Sequence, residues 1–325
     1  MSLSGSRSLR KDNDMATVLL EWSAHAPAGF AGGAVTVGNF DGVHLGHRAL
    51  VRATRALAGR LGGPAVAVSF DPPPHQVLHP GPVRPPLTTL PERADLLHAA
   101  GADHVVILRT SPSLLALSPE AFFEDVMARQ LGAKGVVEGY DFRFGRGRAG
   151  TNATLRDLCG AAGLAFEDVQ QVVHAGEPVS SSRVRAAIVA GDVAAAAELL
   201  ARPYRVSGIV VTGARRGRLI GFPTANLGEV PTVLPGNGVY AVRATVDGKV
   251  WPAAANIGPN PTFGEDARKI EVHLIGFSGD VYGRSLTVEF AARLRETRPF
   301  AGIAELVEQL KRDVEAAKQV LSGNT

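Results

Sequence analysis

The chain has 325 residues, of which 45% are hydrophobic and 20% are charged, and its formal net charge at pH 7 is +3. This length exceeds the size at which one hydrophobic core usually stops growing, so the sequence predicts two domains. The composition is that of a globular protein. Because the net charge is small and no basic block is present, we expect no nucleic-acid partner.

The sequence shows no recognisable targeting or membrane segment. No stretch reaches the roughly 18 uncharged apolar residues that a membrane-spanning helix needs, so we expect no membrane partner. The first 14 residues lack the apolar core of a signal peptide, and we leave them out of the fold prediction because a globular pattern begins at Met15. A single cysteine, Cys159, excludes internal disulfides, which suits the reducing cytoplasm in which we expect the protein to act.

Short Val-rich runs alternate with helical patterns from residue 34 to residue 200. This alternation is typical of a mainly parallel, Rossmann-like sheet with helices on both faces. The sequence predicts strands at 34–37, 64–70, 104–108, 135–138 and 166–173. It predicts helices at 47–61, 91–100, 118–131, 151–162, 181–190 and 192–200. We therefore assign residues 15–200 to an α/β domain.

After Tyr204 strand-like runs follow one another without a helix-length pattern until residue 300. The Asp-Gly pair in "VDGK", 246–249, predicts a tight hairpin turn. From Ile303 to about residue 320, apolar residues recur every three or four positions, which predicts a helix. We therefore assign residues 201–325 to an antiparallel β-barrel that ends in a helix.

The stretch "VGNFDGVHLGH", 37–47, lies where the first predicted strand runs into the first helix. At such a helix N-terminus free backbone amides bind anions, glycines let a phosphate approach closely, and His44 and His47 can donate hydrogen bonds to it. A zinc site would need a third ligand, and neither an HExxH nor a CxxC pattern is present. Phosphate binding is favoured over a metal, and ordinary loop histidines remain an alternative.

Two further stretches contain side chains that are suited to binding phosphate groups or a cation beside them. In "SSSRVR", 180–185, hydroxyls and two arginines open a helix, which suits a pyrophosphate, although a plain capped surface helix has the same pattern. In "GIVVTGARRGRLIGFPTANL", 208–227, Thr224 and Asn226 lie two residues apart in an extended segment and share one face. Their oxygens suit one hard cation beside phosphates, with an ordinary glycine-rich turn as the alternative.

The first half of the chain resembles the nucleotidyltransferase superfamily, in which the two histidines of H-x-G-H hold ATP phosphates. "FDPPPHQVL" (70–78), "GYDFRFGRGRAG" (139–150) and "GDVAAAAELLARPY" (191–204) are similar to the adenylyltransferase half of bacterial bifunctional FAD synthetases. Pro73 departs from the histidine usual there, and His75 follows. The resemblance implies that His44 and His47 are catalytic. It implies ATP contacts from Gly38, Phe40, Asp41, Gly42, His44, His47, Asp141, Ser180, Ser181, Ser182, Arg183 and Arg185. It implies flavin contacts from Phe70, Asp71, Asp141 and Phe142.

The second half resembles riboflavin kinases in its P-T-A-N signature, in "GVYAV" (238–242), "ANIGPNPTFG" (255–264) and "IEVHLIGF" (270–277). The resemblance implies that Thr224 and Asn226 bind Mg²⁺ and ATP phosphates, with Asn226 also catalytic. It implies that Glu271 accepts the proton of the ribityl hydroxyl. Further implied ATP contacts are Gly213, Gly217, Arg218, Gly221 and Pro223. Implied flavin contacts are Asn256 and Arg295. Departures from the family occur at Ala214, Gly276 and Thr297.

Together these resemblances imply an enzyme that converts riboflavin to FMN in the barrel and FMN to FAD in the α/β domain. Its partners are then ATP, riboflavin and FMN, with Mg²⁺ as the cofactor, and we expect a monomer or weak homo-oligomer. Two alternatives remain at this point. One is a flavin-binding protein or kinase with impaired adenylylation, which Pro73 favours. The other is a different nucleotidyl transferase with an accessory barrel, which the P-T-A-N signature disfavours.

Overall fold

The computed structural model describes residues 8–12, 15–79, 81–82, 84–213, 216–260 and 265–323. The chain folds as two compact units. Met1–Arg84 and Thr88–Val179 make up the first unit, and Pro85–Leu87 and Ser180–Thr325 make up the second. The domain boundary at residue 200 stays a prediction. Within the described parts of the chain, no helix is long and apolar enough to cross a membrane.

The first unit is built on a mainly parallel sheet, which confirms the predicted α/β fold. Its strands are β1 (Ser8–Asp12), β2 (Met15–Glu21), β3 (Ala34–Val37), β4 (Ala65–Asp71), β5 (His104–Arg109), β6 (Gly135–Gly139) and β7 (Ala165–Val169). They lie in the order β1-β2-β5-β4-β3-β6-β7, and only β1 with β2 is antiparallel. Buried valines from neighbouring strands, Val35, Val66, Val106 and Val136, pack in one core with Phe122 and Met127.

Helices follow the strands of the first unit as predicted. They are α1 (Leu45–Leu61), α2 (Pro74–Leu78), α3 (Leu90–Ala99), α4 (Pro112–Leu115), α5 (Pro119–Ala121) and α6 (Asn152–Ala162). The predicted helix 118–131 begins as α5 and continues as a π-helix over Phe122–Gln130. The predicted strand 166–173 ends early, at Val169. The chain then turns back on itself at Ala175 and Gly176, both with positive φ, and forms the short hairpin β8 (Val173–His174) and β9 (Glu177–Pro178).

The second unit contains a closed antiparallel barrel, as predicted. Its strands are β10 (Arg205–Val211), β11 (Ala225–Gly228), β12 (Gly238–Val246), β13 (Lys249–Asn260), β14 (Glu265–Leu274) and β15 (Ser285–Arg295), closed in the order β10-β11-β14-β13-β12-β15. Its helices are α7 (Ser181–Ala190), α8 (Val193–Leu200), α9 (Arg216–Leu219) and α10 (Ile303–Ser322). The predicted Asp-Gly turn joins β12 to β13, with φ of 49° at Asp247 and 75° at Gly248, as a two-residue hairpin loop requires.

Aromatic rings fill the barrel. Phe290 stacks on Tyr204 with ring centroids 6.4 Å apart and meets Tyr240 edge-on at 5.3 Å. Outside the barrel, Ala317 and Leu321 of α10 cover Ala241 and its neighbours. The terminal helix therefore packs on the outer face of the strands, while the interior is closed by side chains.

The order of strands in the first unit fixes where a ligand site is expected. From β3 the chain proceeds to β4 and β5 on one side, and later places β6 and β7 on the other side. Open α/β sheets bind ligands outside the carboxyl ends of the strands at such a switch point. The loop from β3 to α1, which carries the histidine pair, begins there.

We expect Phe290→Ala to lower the free energy of unfolding of the barrel by about 3–5 kcal/mol, because it leaves a cavity beside the rings of Tyr204 and Tyr240. Urea unfolding of the full chain, followed by circular dichroism, measures this change. Val250→Ala is the matched control, since Val250 is 61% exposed on the same barrel. Equal effects of the two substitutions would contradict the assigned core.

Candidate active site

The loop between β3 and α1 forms a tight turn at the end of the sheet. Gly38 N–H donates to the carbonyl of Val68 at 2.9 Å, which ties the loop to β4. The backbone then passes through positive φ at Phe40, Gly42 and Val43. His44 caps α1, and its Nδ1 accepts the backbone N–H of His47 at 3.4 Å. The turn thus places both predicted histidines at the first turn of a helix, where backbone amides favour anions.

The two histidines lie against each other and are electrically neutral. Their rings stack with centroids 3.6 Å apart, and Phe40 meets the ring of His47 edge-on at 5.2 Å. Burial lowers the pKa of His44 to about 4. The pKa of His47 also lies well below its ordinary value. Burial is the largest cause, and electrostatic repulsion from His44 and Arg93 adds to it. At neutral pH the pair therefore offers N–H donors without a positive charge of its own.

Two further observations bear on what this pair binds. The Nδ1 atom of His47 is buried and has no hydrogen-bond partner among the described residues. Across the described part of the chain, no group of three or more His, Cys, Asp or Glu side chains is placed to hold one metal ion. The arrangement is chemically suited to donating hydrogen bonds to phosphate oxygens.

A buried glutamate, which the sequence analysis missed, lies beside this turn. Glu138 on β6 is 1% exposed, and its Oε1 accepts the backbone N–H of Val37 at 2.7 Å. Burial raises the pKa of Glu138 well above its ordinary value, and the bond from Val37 opposes this shift. The backbones of β3 and β6 pair only at Ala34 and Val35. Beyond this point the Glu138 carboxyl, instead of a backbone carbonyl of β6, accepts the Val37 N–H. The sequence signal that could have identified Glu138 is a charged residue that follows the apolar run of a predicted strand.

A cavity of about 520 Å³ opens next to the turn. Gly38, Phe70, Asp141 and Phe142, all predicted site residues, line it. The rings of Phe142 and Phe144 stack with centroids 5.5 Å apart, which gives the cavity a flat apolar wall. The other polar residues along its lining are Asn39, His75, His79, Arg143 and Arg148. The structure therefore joins predicted nucleotide and flavin residues in one cavity and adds His75, which follows Pro73.

The remaining predicted residues of the first unit surround the turn. Asp41 Oδ1 accepts the N–H of Thr88 at 3.2 Å, and Gly42 N–H donates to the Thr88 hydroxyl at 3.2 Å. Asp71 is the last residue of β4. Burial lowers the pKa of the Arg93 guanidinium, and the nearby carboxylates of Asp41 and Asp71 partly offset this effect. The ATP contacts of Asp41 and the flavin contacts of Asp71 stay predictions.

The residues of "SSSRVR" belong to the second unit. Ser180 caps α7, where its hydroxyl accepts the N–H of Arg183 at 3.2 Å. Arg185 donates to the carbonyl of Pro85 at 2.5 Å. The predicted ATP contacts of Ser180, Ser181, Ser182, Arg183 and Arg185 stay predictions.

The barrel register brings predicted kinase residues into one row. Asn226 on β11 lies directly opposite Glu271 on β14, and Glu271 lies directly opposite Asn256 on β13. Directly opposed residues share a face, with Cβ atoms about 5 Å apart. Their neighbours Ala255 and Val272 are buried inside the barrel, so the row lies on its outer face. Glu271 thus sits between two amide side chains.

Glycines leave the space beside this row open. A Cβ on Gly213 would lie 2.3 Å from Asn226 Nδ2, closer than real Cβ atoms approach. A Cβ on Gly217 would lie 2.2 Å from the Phe222 carbonyl and 3.5 Å from Thr224 Oγ1. The sequence predicted these glycines as phosphate-loop residues, and the structure gives each a close approach that only glycine permits.

The other predicted kinase residues are placed as follows. Gly221 takes a left-handed φ of 85°, and the Pro223 carbonyl contacts His273 Nδ1 at 2.8 Å. Arg295 forms a two-pronged ion pair with Asp313 of α10, at 2.9 and 2.6 Å. The flavin contacts of Asn256 and Arg295 stay predictions, as does the ATP contact of Arg218. The predicted loop 213–221 includes residues 214 and 215, and "ANIGPNPTFG" includes 261–264, which all lie outside the described residues.

Comparison with known proteins identifies the family to which the chain belongs. A family model described as FAD synthetase matches residues 28–183, and one described as riboflavin kinase matches residues 200–321. The bifunctional riboflavin kinase/FMN adenylyltransferase of Pseudomonas fluorescens is 38% identical over 87% of this chain and 91% of its own length. The chain belongs to the bifunctional riboflavin kinase/FMN adenylyltransferase family.

Other members of the bifunctional family are similarly close. The protein of that name from Bacillus subtilis (strain 168) is 36% identical over 89% of this chain and 92% of its own length. That from Escherichia coli (strain K12) is also 36% identical, over 88% of this chain and 91% of its own length. A crystal structure described as that of a macrolide-efflux protein from Streptococcus pneumoniae superimposes with a TM-score of 0.85 at 30% identity, covering 93% of this chain and 98% of that one.

We expect Glu138→Gln to stabilise the first unit increasingly as pH rises. The folded chain holds the Glu138 proton more tightly than the unfolded chain does. Folding stability therefore falls as pH rises from the ordinary pKa of 4.5 through the raised one. Glutamine keeps the acceptor for Val37 and has no charge to bury. Thermal unfolding at about pH 5 and about pH 9 measures the difference. Glu124→Gln, on an exposed side chain, is the matched control. A pH-independent effect of Glu138→Gln would refute the assignment.

We expect Gly213→Ala to reduce riboflavin phosphorylation strongly, because the added methyl group must displace the Asn226 amide. FMN adenylylation by the same molecules should persist, since Gly213 lies in the other unit. Chromatography of the flavins formed from riboflavin and from FMN measures both. Gly302→Ala is the matched control, because no atom lies within 4 Å of its added Cβ. Unchanged phosphorylation in Gly213→Ala would remove Gly213 from the kinase site.

Proposed function

We propose that this chain carries out both steps from riboflavin to FAD, with each step in its own unit. The barrel phosphorylates riboflavin with ATP and yields FMN and ADP. The α/β unit joins FMN to the AMP part of a second ATP and yields FAD and pyrophosphate. The observation that carries the kinase assignment is the direct cross-strand pairing of Asn226 with Glu271. These activities are those of the family to which the chain belongs.

In the proposed kinase step Glu271 is the general base. Its carboxylate accepts the proton of the terminal ribityl hydroxyl as the hydroxyl oxygen attacks the γ-phosphorus of ATP, and ADP leaves. The flanking amides of Asn226 and Asn256 lie in the same row and orient the carboxylate and the phosphates. The loop around Gly213 and Gly217 covers the phosphates, since it approaches Asn226 and Thr224 without intervening Cβ atoms.

The kinase site is suited to Mg²⁺. Thr224, just before β11, supplies a hydroxyl, and Asn226 supplies an amide carbonyl, both hard oxygen donors. Both residues are half-buried and the residue between them, Ala225, is buried, which suits a shared face. The glycines at 213 and 217 leave space beside these two side chains. We propose that Thr224 and Asn226 hold the ion. When bound, Mg²⁺ would screen the phosphate charge and stabilise the charge that develops during transfer.

In the proposed adenylylation step a phosphate oxygen of FMN attacks the α-phosphorus of ATP, and pyrophosphate leaves. The neutral imidazoles of His44 and His47 donate hydrogen bonds to ATP phosphate oxygens, and the first amides of α1 add to them. Phe70 and Phe142 line the adjoining cavity, which provides an apolar surface for the flavin ring. His75 lines the same cavity and supplies an imidazole near the position that Pro73 leaves without one.

The alternative of a kinase or flavin-binding protein with impaired adenylylation is not favoured, because the FAD synthetase model matches residues 28–183. We propose that ATP, riboflavin and FMN are the partners and that neither nucleic acid nor a membrane takes part. We further propose that the protein acts in the cytoplasm as a monomer or weak homo-oligomer. The single buried cysteine, Cys159, suits that compartment.

Incubation of the pure protein with riboflavin, ATP and Mg²⁺ should give FMN first and then FAD. We expect Glu271→Gln to lower FMN formation by about 10²–10⁴-fold, since the general base is lost. FAD formation from supplied FMN should persist. His47→Ala should have the reverse effect, because it removes a phosphate contact from the other unit. Chromatographic separation of the flavins measures both steps in each variant.

Each variant serves as the control for the other, since both keep one activity intact. An FMN plateau without FAD in the unmodified protein would overturn the bifunctional proposal. Equal loss of both activities in Glu271→Gln would contradict separate sites. Full kinase activity in that variant would remove Glu271 as the base.

A further inference from the structure

A buried arginine lies behind the turn that carries the histidine pair. Arg93 on α3 is only 2% exposed, and sequence reasoning assigned it no role. Burial lowers the pKa of its guanidinium, while Asp41 and Asp71 oppose this effect. A charge in the interior is unfavourable unless hydrogen-bond partners and opposite charges compensate for the lost water.

The guanidinium connects the turn with two other elements. Its Nη2 atom lies 3.3 Å from Asp41 Oδ1 in the turn and 3.5 Å from the Thr88 carbonyl, just before α3. Its Nη1 atom donates to the Ser69 hydroxyl on β4 at 3.3 Å. That hydroxyl in turn donates to the carbonyl of Asn39 at 3.1 Å. One side chain thus ties both sides of the turn to β4 and to α3.

The same turn is fixed a second time through Thr88. Its N–H donates to Asp41 Oδ1, the same oxygen that faces Arg93, and its hydroxyl accepts the N–H of Gly42. Arg93, Thr88, Asp41 and Ser69 therefore form one connected hydrogen-bond network beneath the backbone of Asn39–Gly42. Such networks rigidify the residues that they connect.

The compensation of the Arg93 charge is incomplete. Its Nε atom finds no acceptor among the residues that the structure describes, and its ion pair with Asp41 is long for a charge-assisted bond. A buried arginine of this kind is weak evidence for stability, since an apolar side chain of similar size often serves as well. Its position next to a predicted phosphate site offers a functional reason for keeping it.

The charge of Arg93 also acts on the histidine pair. Together with burial and with His44, it lowers the pKa of His47. The charged or titratable groups around this turn are His44 at the cap of α1, Asp41 in the turn, Asp71 at the end of β4, Glu138 beside Val37, and Arg93 itself. Arg93 is the cation in this set at neutral pH, and its charge lies behind the turn.

We propose that Arg93 is a positioning residue for the adenylylation step, which holds the Asn39–Gly42 backbone and the adjoining histidine pair in place for the ATP phosphates through Asp41, Thr88 and Ser69. It acts through these groups without touching the substrate. The inference rests on the proposed adenylyltransferase activity of the first unit. It adds a residue to that site that none of its sequence motifs contains.

Arg93→Met and Arg93→Lys test the proposal in the full-length protein, with ATP, FMN and riboflavin as substrates. Arg93→Met should lower kcat/KM of adenylylation by about 100-fold, the scale of a misplaced reacting group. The loss should include a higher KM for ATP, because the phosphate-binding turn is loosened. Riboflavin phosphorylation by the same molecules should stay unchanged and reports that the protein is folded.

The pH profile separates positioning from general destabilisation. Without the Arg93 charge the pKa of His47 rises, so the acid-side inflection of adenylylation should move to higher pH in Arg93→Met. Arg93→Lys keeps the charge and loses the planar fork, so its inflection should stay in place while its rate falls less than that of Arg93→Met. Arg55→Met is the matched control, because Arg55 forms an exposed ion pair with Asp103 in the same unit.

The outcomes are distinguishable. If the unmodified protein forms no FAD, the proposed function fails. If it forms FAD and Arg93→Met behaves like Arg55→Met, the inference fails and the function stands. If Arg93→Met does not fold, Arg93→Lys and Ser69→Ala decide, since Ser69 links Arg93 to the Asn39 carbonyl: loss of adenylylation with a raised KM for ATP in both supports the role. Unchanged adenylylation in both overturns it.

Discussion

The separation of β3 from β6 at their carboxyl ends is the constraint on which the candidate site of the first unit depends. The two strands pair at Ala34 and Val35, and beyond this point the Val37 N–H donates to the Glu138 side chain instead of to the backbone of β6. The opening created there admits the turn with the histidine pair, and the adjoining cavity lies at the same edge. Parallel sheets whose connections diverge on either side of a central strand leave such a crevice for geometric reasons.

The two candidate sites are built on different backbones. In the α/β unit a turn with positive φ angles leads into a helix, and backbone amides and neutral imidazoles meet there, a setting that suits an anion. In the barrel, cross-strand register sets Asn226 beside Glu271, Gly213 closely approaches Asn226, and Gly217 lies near Thr224. Each candidate site therefore combines a strand of the sheet or barrel with glycines that allow close approach of the backbone.

Sequence periodicity predicted the elements that have a strong local signal. The alternation of Val-rich runs with helical patterns gave the α/β unit, and the Asp-Gly pair at 247–248 gave the hairpin of the barrel. It did not predict β2, whose partner β5 lies far along the chain, and it extended the strand after residue 166 past its end at Val169. Such strands and strand ends depend on remote partners, which local patterns do not contain.

The sequence by itself determined which chemical groups are present and in which local setting: the histidine pair after a strand, Thr224 and Asn226 on one strand face, and the family to which these motifs point. Only the tertiary structure decided which groups meet. Glu138 reaches Val37 across 101 positions and Arg93 reaches Asp41 across 52, and neither pair has a local pattern that marks it. Burial then raises the pKa of Glu138 and lowers that of Arg93, because desolvation acts only once the chain has enclosed them.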